Sequence, residues 1–114
     1  MAEIIIIRQP VTPEQLIQMS EAFGESFIKL AVDVEREILA GGGELHADCE
    51  AALLEDGSQQ QVVWGADWYP LDREVGFESL INIRPGQQNF TLELQDLALR
   101  AKIEAIVRRL LEID

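Results

Sequence analysis

The sequence is short of the residues that several common functions need. Its 114 residues include one cysteine, Cys49, and one histidine, His46. A single cysteine excludes an intramolecular disulfide, and this pair alone does not make a cysteine–histidine zinc cluster. The Ile-Ile-Ile-Ile run at residues 4–7 is far too short to span a membrane. These absences favour a soluble, cytoplasmic protein in which Cys49 is a small buried residue.

Basic residues are also scarce. Nine lysines and arginines stand against 21 aspartates and glutamates, which gives a formal net charge of −12. Nucleic-acid binding depends largely on Lys and Arg side chains that neutralise phosphates, and an anionic membrane attracts the same side chains. The composition therefore excludes nucleic acid and membranes as primary partners. High acidity by itself indicates only solubility.

The apolar pattern predicts one domain over residues 1–114. A β-branched run at 3–8 predicts an interior strand, covered on both faces. Residues 12–15 have a capping threonine, a proline and a glutamine in the spacing of a helix start. The apolar stripe that follows runs to Ile38 and predicts one helix of about 26 residues. The glycine run at 41–43 is interpreted as the terminator of that helix.

Three further strands are predicted at 44–50, 62–69 and 77–84. Polar and apolar residues alternate at 44–50, and in the other two segments successive residues are assigned to opposite faces of a strand. Asp96 is predicted to cap a closing helix. The predicted order is β-α-β-β-β-α. This order predicts an α+β two-layer sandwich, in which two helices cover one face of a mixed, mainly antiparallel four-stranded sheet. The other face is predicted to be open and polar.

The candidate ligand-binding residues all belong to this predicted open face: His46, Asp48, Glu50, Asp67, Tyr69, Asn82 and Arg84. Two chemical functions stay open for them. In one, His46, Asp48 and Glu50 bind a divalent metal such as Mn, Fe or Zn. In the other, His46 and a carboxylate carry out acid–base chemistry while Arg84 holds an anionic substrate. In a third interpretation the charges are paired or solvated, and the face is a dimer interface.

Four sequence strings resemble, in order, a family of small bacterial proteins known only as a domain of unknown function. The strings are Gly-Gly-Glu-Leu-His-Ala-Asp at 42–48, Leu-Leu-Glu-Asp-Gly-Ser at 53–58, Trp-Gly-Ala-Asp-Trp-Tyr-Pro at 64–70 and Phe-Glu-Ser-Leu-Ile-Asn-Ile-Arg-Pro at 77–85. The resemblance covers essentially the whole chain. It implies no activity, ligand or catalytic residue.

The sequence favours a non-enzymatic module that self-associates as a homo-oligomer, most simply a dimer, or binds a protein partner. Trp64 and Trp68 on one predicted strand face, and the lack of a strong catalytic motif, support this hypothesis. No cofactor is expected in that case. The alternative is a metal- or small-ligand-binding protein, or an enzyme, with its site at the candidate residues from His46 to Arg84.

Overall fold

The computed structural model describes residues 3–113, which form three α-helices and one five-stranded sheet. The strands are β1 (Ile5–Ile7), β2 (Ile28–Asp33), β3 (Ile38–Gly41), β4 (Val63–Tyr69) and β5 (Glu74–Gly76). The helices are α1 (Pro13–Met19), α2 (His46–Glu55) and α3 (Leu97–Leu111). The predicted α+β class is confirmed, with five strands in place of four.

The sheet has the strand order β1-β3-β2-β4-β5, and every neighbouring pair is antiparallel. The prediction that β1 is an interior strand is therefore wrong, because β1 lies at one edge. The strand is apolar on both faces because each face packs against a different core cluster. Ile5 and Ile7 pack with one core cluster, whereas Ile4 and Ile6 pack with the other.

Helices cover both faces of the sheet. Helices α1 and α3 share one face, where Met19 and Ile103 belong to the same buried cluster as Leu30 and Trp64. Helix α2 lies on the opposite face, and its buried side chains join a second cluster with Ala31, Ala40 and Val63. The structure thus has the two predicted helices on one face, but the face predicted to be open is covered by α2.

The predicted long helix is wrong beyond Met19. Its start is confirmed, because Thr12 and Gln15 form a reciprocal capping box around the first turn. Helix α1 ends at Ser20, whose hydroxyl donates to the Leu16 carbonyl at 2.8 Å. Of the apolar residues that extended the helical stripe, Phe23 and Phe27 lie in the connection after α1, and Leu30, Val34 and Ile38 belong to the β2–β3 hairpin. In β2 the strand period also fits, since the apolar residues Ile28, Leu30 and Val32 alternate with Lys29, Ala31 and Asp33.

The glycine run is not a helix terminator, which corrects a second prediction. Gly41 is the last residue of β3, and Gly42 has a positive φ of 100°. A Cβ on Gly42 would lie 2.6 Å from the backbone oxygen of Glu3. Glycine is therefore needed there both for its conformation and for the close approach of the N-terminal chain.

The strand predicted at 44–50 is wrong, since α2 begins at His46. Alternation over a few residues is weak evidence, and residues 47–55 are mostly Ala, Leu and Glu, which are strong helix formers. Cys49 and Leu53, four positions apart, are both fully buried on the face that meets the sheet. Side chains two apart on this helix point in nearly opposite directions.

The strand predicted at 77–84 is also wrong. Residues Leu80–Asn82 form a short 3₁₀ turn, and only single bridges, Glu78 to Glu93 and Arg84 to Asn89, flank it. This segment runs beside β4, and a Cβ on Gly65 would lie 2.5 Å from Ser79. The missing side chain at Gly65 lets the segment pack directly on the strand.

One exposed ionic cluster predicts how stability depends on pH. Arg8 and Arg36 each place a guanidinium nitrogen 2.6 Å from a carboxylate oxygen of Asp56. Their hydrogen bonds lower the pKa of Asp56 from 3.8 to about 2. A lowered folded-state pKa contributes stability that is present above the unfolded value and is lost as pH falls through the folded value. Asp56→Asn should therefore be less stable than wild type at pH 7, and this difference should shrink between pH 4 and pH 2.

Urea denaturation at pH 7, 4 and 2.5 measures that difference. Asp72→Asn is the matched control, because it removes the same charge from an exposed loop position that has no ion pair within residues 3–113. A pH-independent difference between Asp56→Asn and wild type would contradict the assignment of the low pKa to this cluster.

Candidate functional site

Two of the predicted site residues, His46 and Asp67, form a close pair. His46 is the first residue of α2, and Asp67 lies on the β4 face that α2 covers. The His46 Nε2 lies 2.8 Å from Asp67 Oδ1, and the two side chains are only 12% and 9% exposed. Because a carboxylate accepts hydrogen bonds, the pairing favours the tautomer with the proton on Nε2 and leaves Nδ1 with a lone pair.

The surroundings of this pair hold one base and one phenol. Lys29, opposite Asp67 across the β2–β4 ladder, donates from Nζ to the Glu44 carbonyl at 3.0 Å. Tyr69 packs its ring 5.8 Å from that of Phe27. Burial raises the pKa of Tyr69, and the negative charges of Asp67 and Glu78 add to the effect. Tyr69 is therefore a neutral phenol at physiological pH.

A second close pair, Glu50 and Arg84, is structural. Arg84 Nη2 lies 3.1 Å from Glu50 Oε2, and both side chains are 12% exposed. Burial lowers the pKa of Arg84, an effect that the charge of Glu50 opposes. The guanidinium carbon lies 4.3 Å from the centroid of the Trp64 ring. The pair therefore joins α2 to the segment that follows the 3₁₀ turn.

Arg84 has no donor left for an anionic substrate. A guanidinium has five N–H groups, and here Nε donates to the Ile81 carbonyl and Nη1 to the Gln60 carbonyl and the Gln87 side chain. The two Nη2 hydrogens are donated to the Glu50 carboxylate and to the Val63 carbonyl. The predicted role of Arg84 as a substrate anchor is corrected to that of a structural contact.

The remaining candidates do not converge on the His46–Asp67 pair. Asn82 is fully buried and bonds only to backbone groups, while Asp48 is exposed in the first turn of α2. Within residues 3–113 no group of three or more His, Cys, Asp or Glu side chains is arranged to hold a metal ion. The metal set predicted on one strand is therefore not brought together, because His46, Asp48 and Glu50 lie on a helix.

An apolar surface depression of about 340 Å³ lies next to His46. We call it the leucine hollow, and its lining includes Leu45, Leu80 and Leu92 together with Lys29 and Glu78. The three leucines are 57%, 76% and 43% exposed. Leu80 and Leu92 line the same depression, and the Ser79 N–H donates to the Leu92 carbonyl at 3.0 Å, which joins their two segments. Sequence periodicity missed the hollow, since its leucines come from three separate segments.

Comparison with known proteins identifies a family. A family model described as "Protein of unknown function (DUF5674)" matches residues 5–110. The chain belongs to this family. No curated protein and no solved structure matches it. The whole-chain resemblance is thus confirmed, and the DUF5674 family supplies no activity to carry over.

No helix within residues 3–113 combines the length and apolar character needed to cross a membrane. Cys49, predicted to be buried, is fully buried in α2. Loss of hydration on burial raises the pKa of its thiol from 9.0 to about 11. A buried thiol with this pKa is not a nucleophile at neutral pH.

The burial of Cys49 predicts a slow reaction with thiol reagents. At pH 8 roughly a thousandth of a thiol with such a pKa is ionised, and reagents must also reach it through the core. Native protein should therefore react with iodoacetamide far more slowly than protein unfolded in urea. Mass spectrometry of timed samples measures both rates. Equal rates in the two conditions would show that α2 opens easily from the sheet.

Proposed function

We propose that the protein is a partner-binding module whose leucine hollow receives an apolar, basic segment of another protein. The observation that carries the proposal is the exposure of three leucines around one depression. Leu45, Leu80 and Leu92 are 57%, 76% and 43% exposed there. Exposed apolar side chains that cluster, with polar groups at their margin, are typical of protein contact sites.

The charge around the hollow favours a basic partner. Glu78 lines the hollow, and Glu44 is the chain neighbour of Leu45. Glu93, the neighbour of Leu92, is already paired with Arg100 at 3.1 Å. The one base in the lining, Lys29, already donates to the Glu44 carbonyl and lies 5.0 Å from the Phe23 ring centroid. A segment with leucine-like anchors flanked by Lys or Arg therefore complements both the shape and the charge.

A second copy of the chain is a poorer occupant. In a two-fold interface the same patch faces itself, so the acidic margin of one copy meets that of the other. Each copy also carries a formal net charge of −12, which opposes association. The predicted homodimer stays a prediction, and light scattering over a range of concentrations tests it.

Isothermal titration calorimetry with a designed amphipathic helix of leucine and lysine tests the proposal. Leu80→Asp should weaken binding of this peptide by roughly tenfold or more, because it puts a charge in the centre of the contact. Leu71→Asp is the matched control, since Leu71 is 74% exposed, Leu80 is 76% exposed, and Leu71 lies outside the hollow. Both variants add one negative charge, so non-specific attraction changes equally.

Two outcomes of that titration would contradict the proposal. Equal weakening by the two variants would indicate non-specific attraction, and an absence of binding would contradict a basic partner. In light scattering, a dimer that dissociates in Leu80→Asp would instead make a second copy the occupant. A leucine–glutamate helix, which has the same shape and the opposite charge, should not bind.

Acid–base chemistry at His46 is a second candidate function. It is favoured by the 2.8 Å contact with the nearly buried Asp67, which holds the imidazole beside the hollow. A carboxylate behind a histidine orients the ring and stabilises its protonated form during proton transfer. This pairing occurs in structural settings as well, so a chemical test is needed.

Hydrolysis of p-nitrophenyl acetate provides that test. If the pair is chemically competent, the protein should react faster than the same concentration of free imidazole, and Asp67→Asn and His46→Gln should both abolish the excess rate. A rate no greater than that of imidazole, or one unchanged in His46→Gln, would remove this candidate.

A further inference from the structure

Another depression, of about 560 Å³, shares no lining residue with the leucine hollow, and half of its lining residues carry carboxamides. We call it the amide pocket. Its amides are Gln61, Gln87, Gln88, Asn89 and Gln95, and Asp96 supplies a carboxylate. A carboxamide has both a hydrogen-bond donor and an acceptor, so such a wall can bind a neutral ligand through paired hydrogen bonds. The volume lies within the range of ordinary small-molecule sites.

The wall of the amide pocket is held in place by the protein's own hydrogen bonds. Asn89 is 3% exposed; its Nδ2 donates to the Asn82 carbonyl at 2.7 Å and its Oδ1 accepts from the Gln95 N–H at 2.9 Å. Gln87 donates from Nε2 to the Gln61 carbonyl at 2.9 Å. These bonds order the Asn89 and Gln87 part of the wall before a ligand binds, whereas Gln88 is exposed.

Several polar atoms of this wall have no hydrogen bond within residues 3–113. Asp96 Oδ1 accepts the two hydrogen bonds that cap α3, and Asp96 Oδ2 has no hydrogen bond within that range. Gln61 and Gln95 both use Nε2, which leaves their Oε1 atoms as acceptors. The Gln88 backbone N–H donates to the Pro85 carbonyl, but its side-chain carboxamide makes no such bond and keeps its donors. The pocket therefore offers mainly acceptors, together with one free amide donor group.

The base of the pocket is apolar, and its lining contains no Lys or Arg. Its apolar lining comes from Val34, Trp64, Leu94 and Leu99, of which Leu99 is half-buried and the others are buried. A phosphate or carboxylate ligand would meet the Asp96 carboxylate with no cation to pair with it. A ligand with many hydroxyl donors along its edge and C–H groups on its face matches the acceptors and the apolar base together.

We propose that the amide pocket binds a neutral saccharide. The sugar hydroxyls donate to Asp96 Oδ2 and to the side-chain Oε1 atoms of Gln61 and Gln95. The Gln88 side-chain amide donates to a ring or hydroxyl oxygen, and the C–H face packs on Leu99, which is half-buried. This site is separate from the leucine hollow, with which it shares no lining residue.

Saturation-transfer NMR tests the proposal with glucose, galactose, mannose, N-acetylglucosamine and maltose. At least one should receive saturation from the protein, whereas glucose 6-phosphate should not. Gln88→Ala and Gln61→Ala should each weaken the Kd by roughly threefold to tenfold. Gln18→Ala, on the exposed side of α1, is the matched control and should leave the Kd unchanged.

Leu80→Asp separates this proposal from the partner-binding one, since it should leave sugar binding intact. Three results would overturn the saccharide site: no transfer to any neutral sugar, equal transfer to glucose 6-phosphate, or a Kd that Gln88→Ala and Gln61→Ala leave unchanged.

Discussion

Replacing Asn82 by alanine should lower the free energy of unfolding by about 3–5 kcal/mol. The Asn82 side chain is fully buried and completes the edge of β4. Its Oδ1 accepts from the Gly65 N–H at 2.8 Å, and its Nδ2 donates to the Gly65 and Phe77 carbonyls at 3.0 and 3.1 Å. One carboxamide thus pairs with both backbone groups of a residue, as a neighbouring strand would.

The cost is large because alanine leaves these backbone groups buried without a partner. Chemical denaturation monitored by tryptophan fluorescence measures it. Gln88→Ala, which removes an exposed carboxamide from the same loop region, should change stability by less than about 0.5 kcal/mol. An Asn82→Ala variant within 1 kcal/mol of wild type would show that water or a shifted backbone replaces these bonds.

Replacing Arg84 by methionine should destabilise the protein by a similar amount, about 3–5 kcal/mol. The change removes the partner of Glu50, whose side chain is only 12% exposed, and leaves its charge largely buried. It also removes the donors to the Gln60 and Val63 carbonyls and the contact with Trp64. Breaking a buried ion pair on one side costs more than the pair contributes when intact.

A double-mutant cycle separates the ion pair from the other contacts. Adding Glu50→Gln to Arg84→Met should recover part of the lost stability, because the uncompensated charge is gone. Arg109→Met is the matched control, since Arg109 and Glu37 are 47% and 56% exposed and such pairs contribute at most about 1 kcal/mol. Strict additivity in the cycle would contradict a strong Glu50–Arg84 coupling.

The sequence predicts those elements whose signals are local. Strand β4 is predicted at 62–69 and lies at Val63–Tyr69, because its β-branched and aromatic residues favour a strand and Pro70 follows its end. The cap of α3 was expected at Asp96, whose Oδ1 accepts from the Ala98 N–H at 2.9 Å. The start of α1 follows from the Thr12–Gln15 capping box in the same way.

The wrong predictions concern segments whose structure depends on distant partners. Residues 77–84 alternate like a strand, yet β4 receives its edge hydrogen bonds from the Asn82 and Arg84 side chains instead of a backbone ladder. Residues 44–50 alternate as well, but the helical preference of the nine residues after His46 prevails. Periodicity alone cannot distinguish these cases, since it contains no information about tertiary contacts.

The candidate site could be predicted only in part. His46 and Asp67 were both named from the sequence, and the structure brings them to 2.8 Å across 21 positions of the chain. Arg84 and Asn82 were named too, but their donors are engaged within the fold. The leucines of the hollow gave no sequence signal, because an isolated exposed leucine is common on protein surfaces.

The most direct test of partner binding at the leucine hollow is a map of leucine methyl NMR shifts during titration with the leucine–lysine helix. The proposal predicts that the methyl signals of Leu45, Leu80 and Leu92 shift together, whereas those of Leu71 and Leu97, which are each 74% exposed and lie outside the hollow, stay in place. Shifts spread evenly over all exposed leucines, or centred on Leu71, would contradict it.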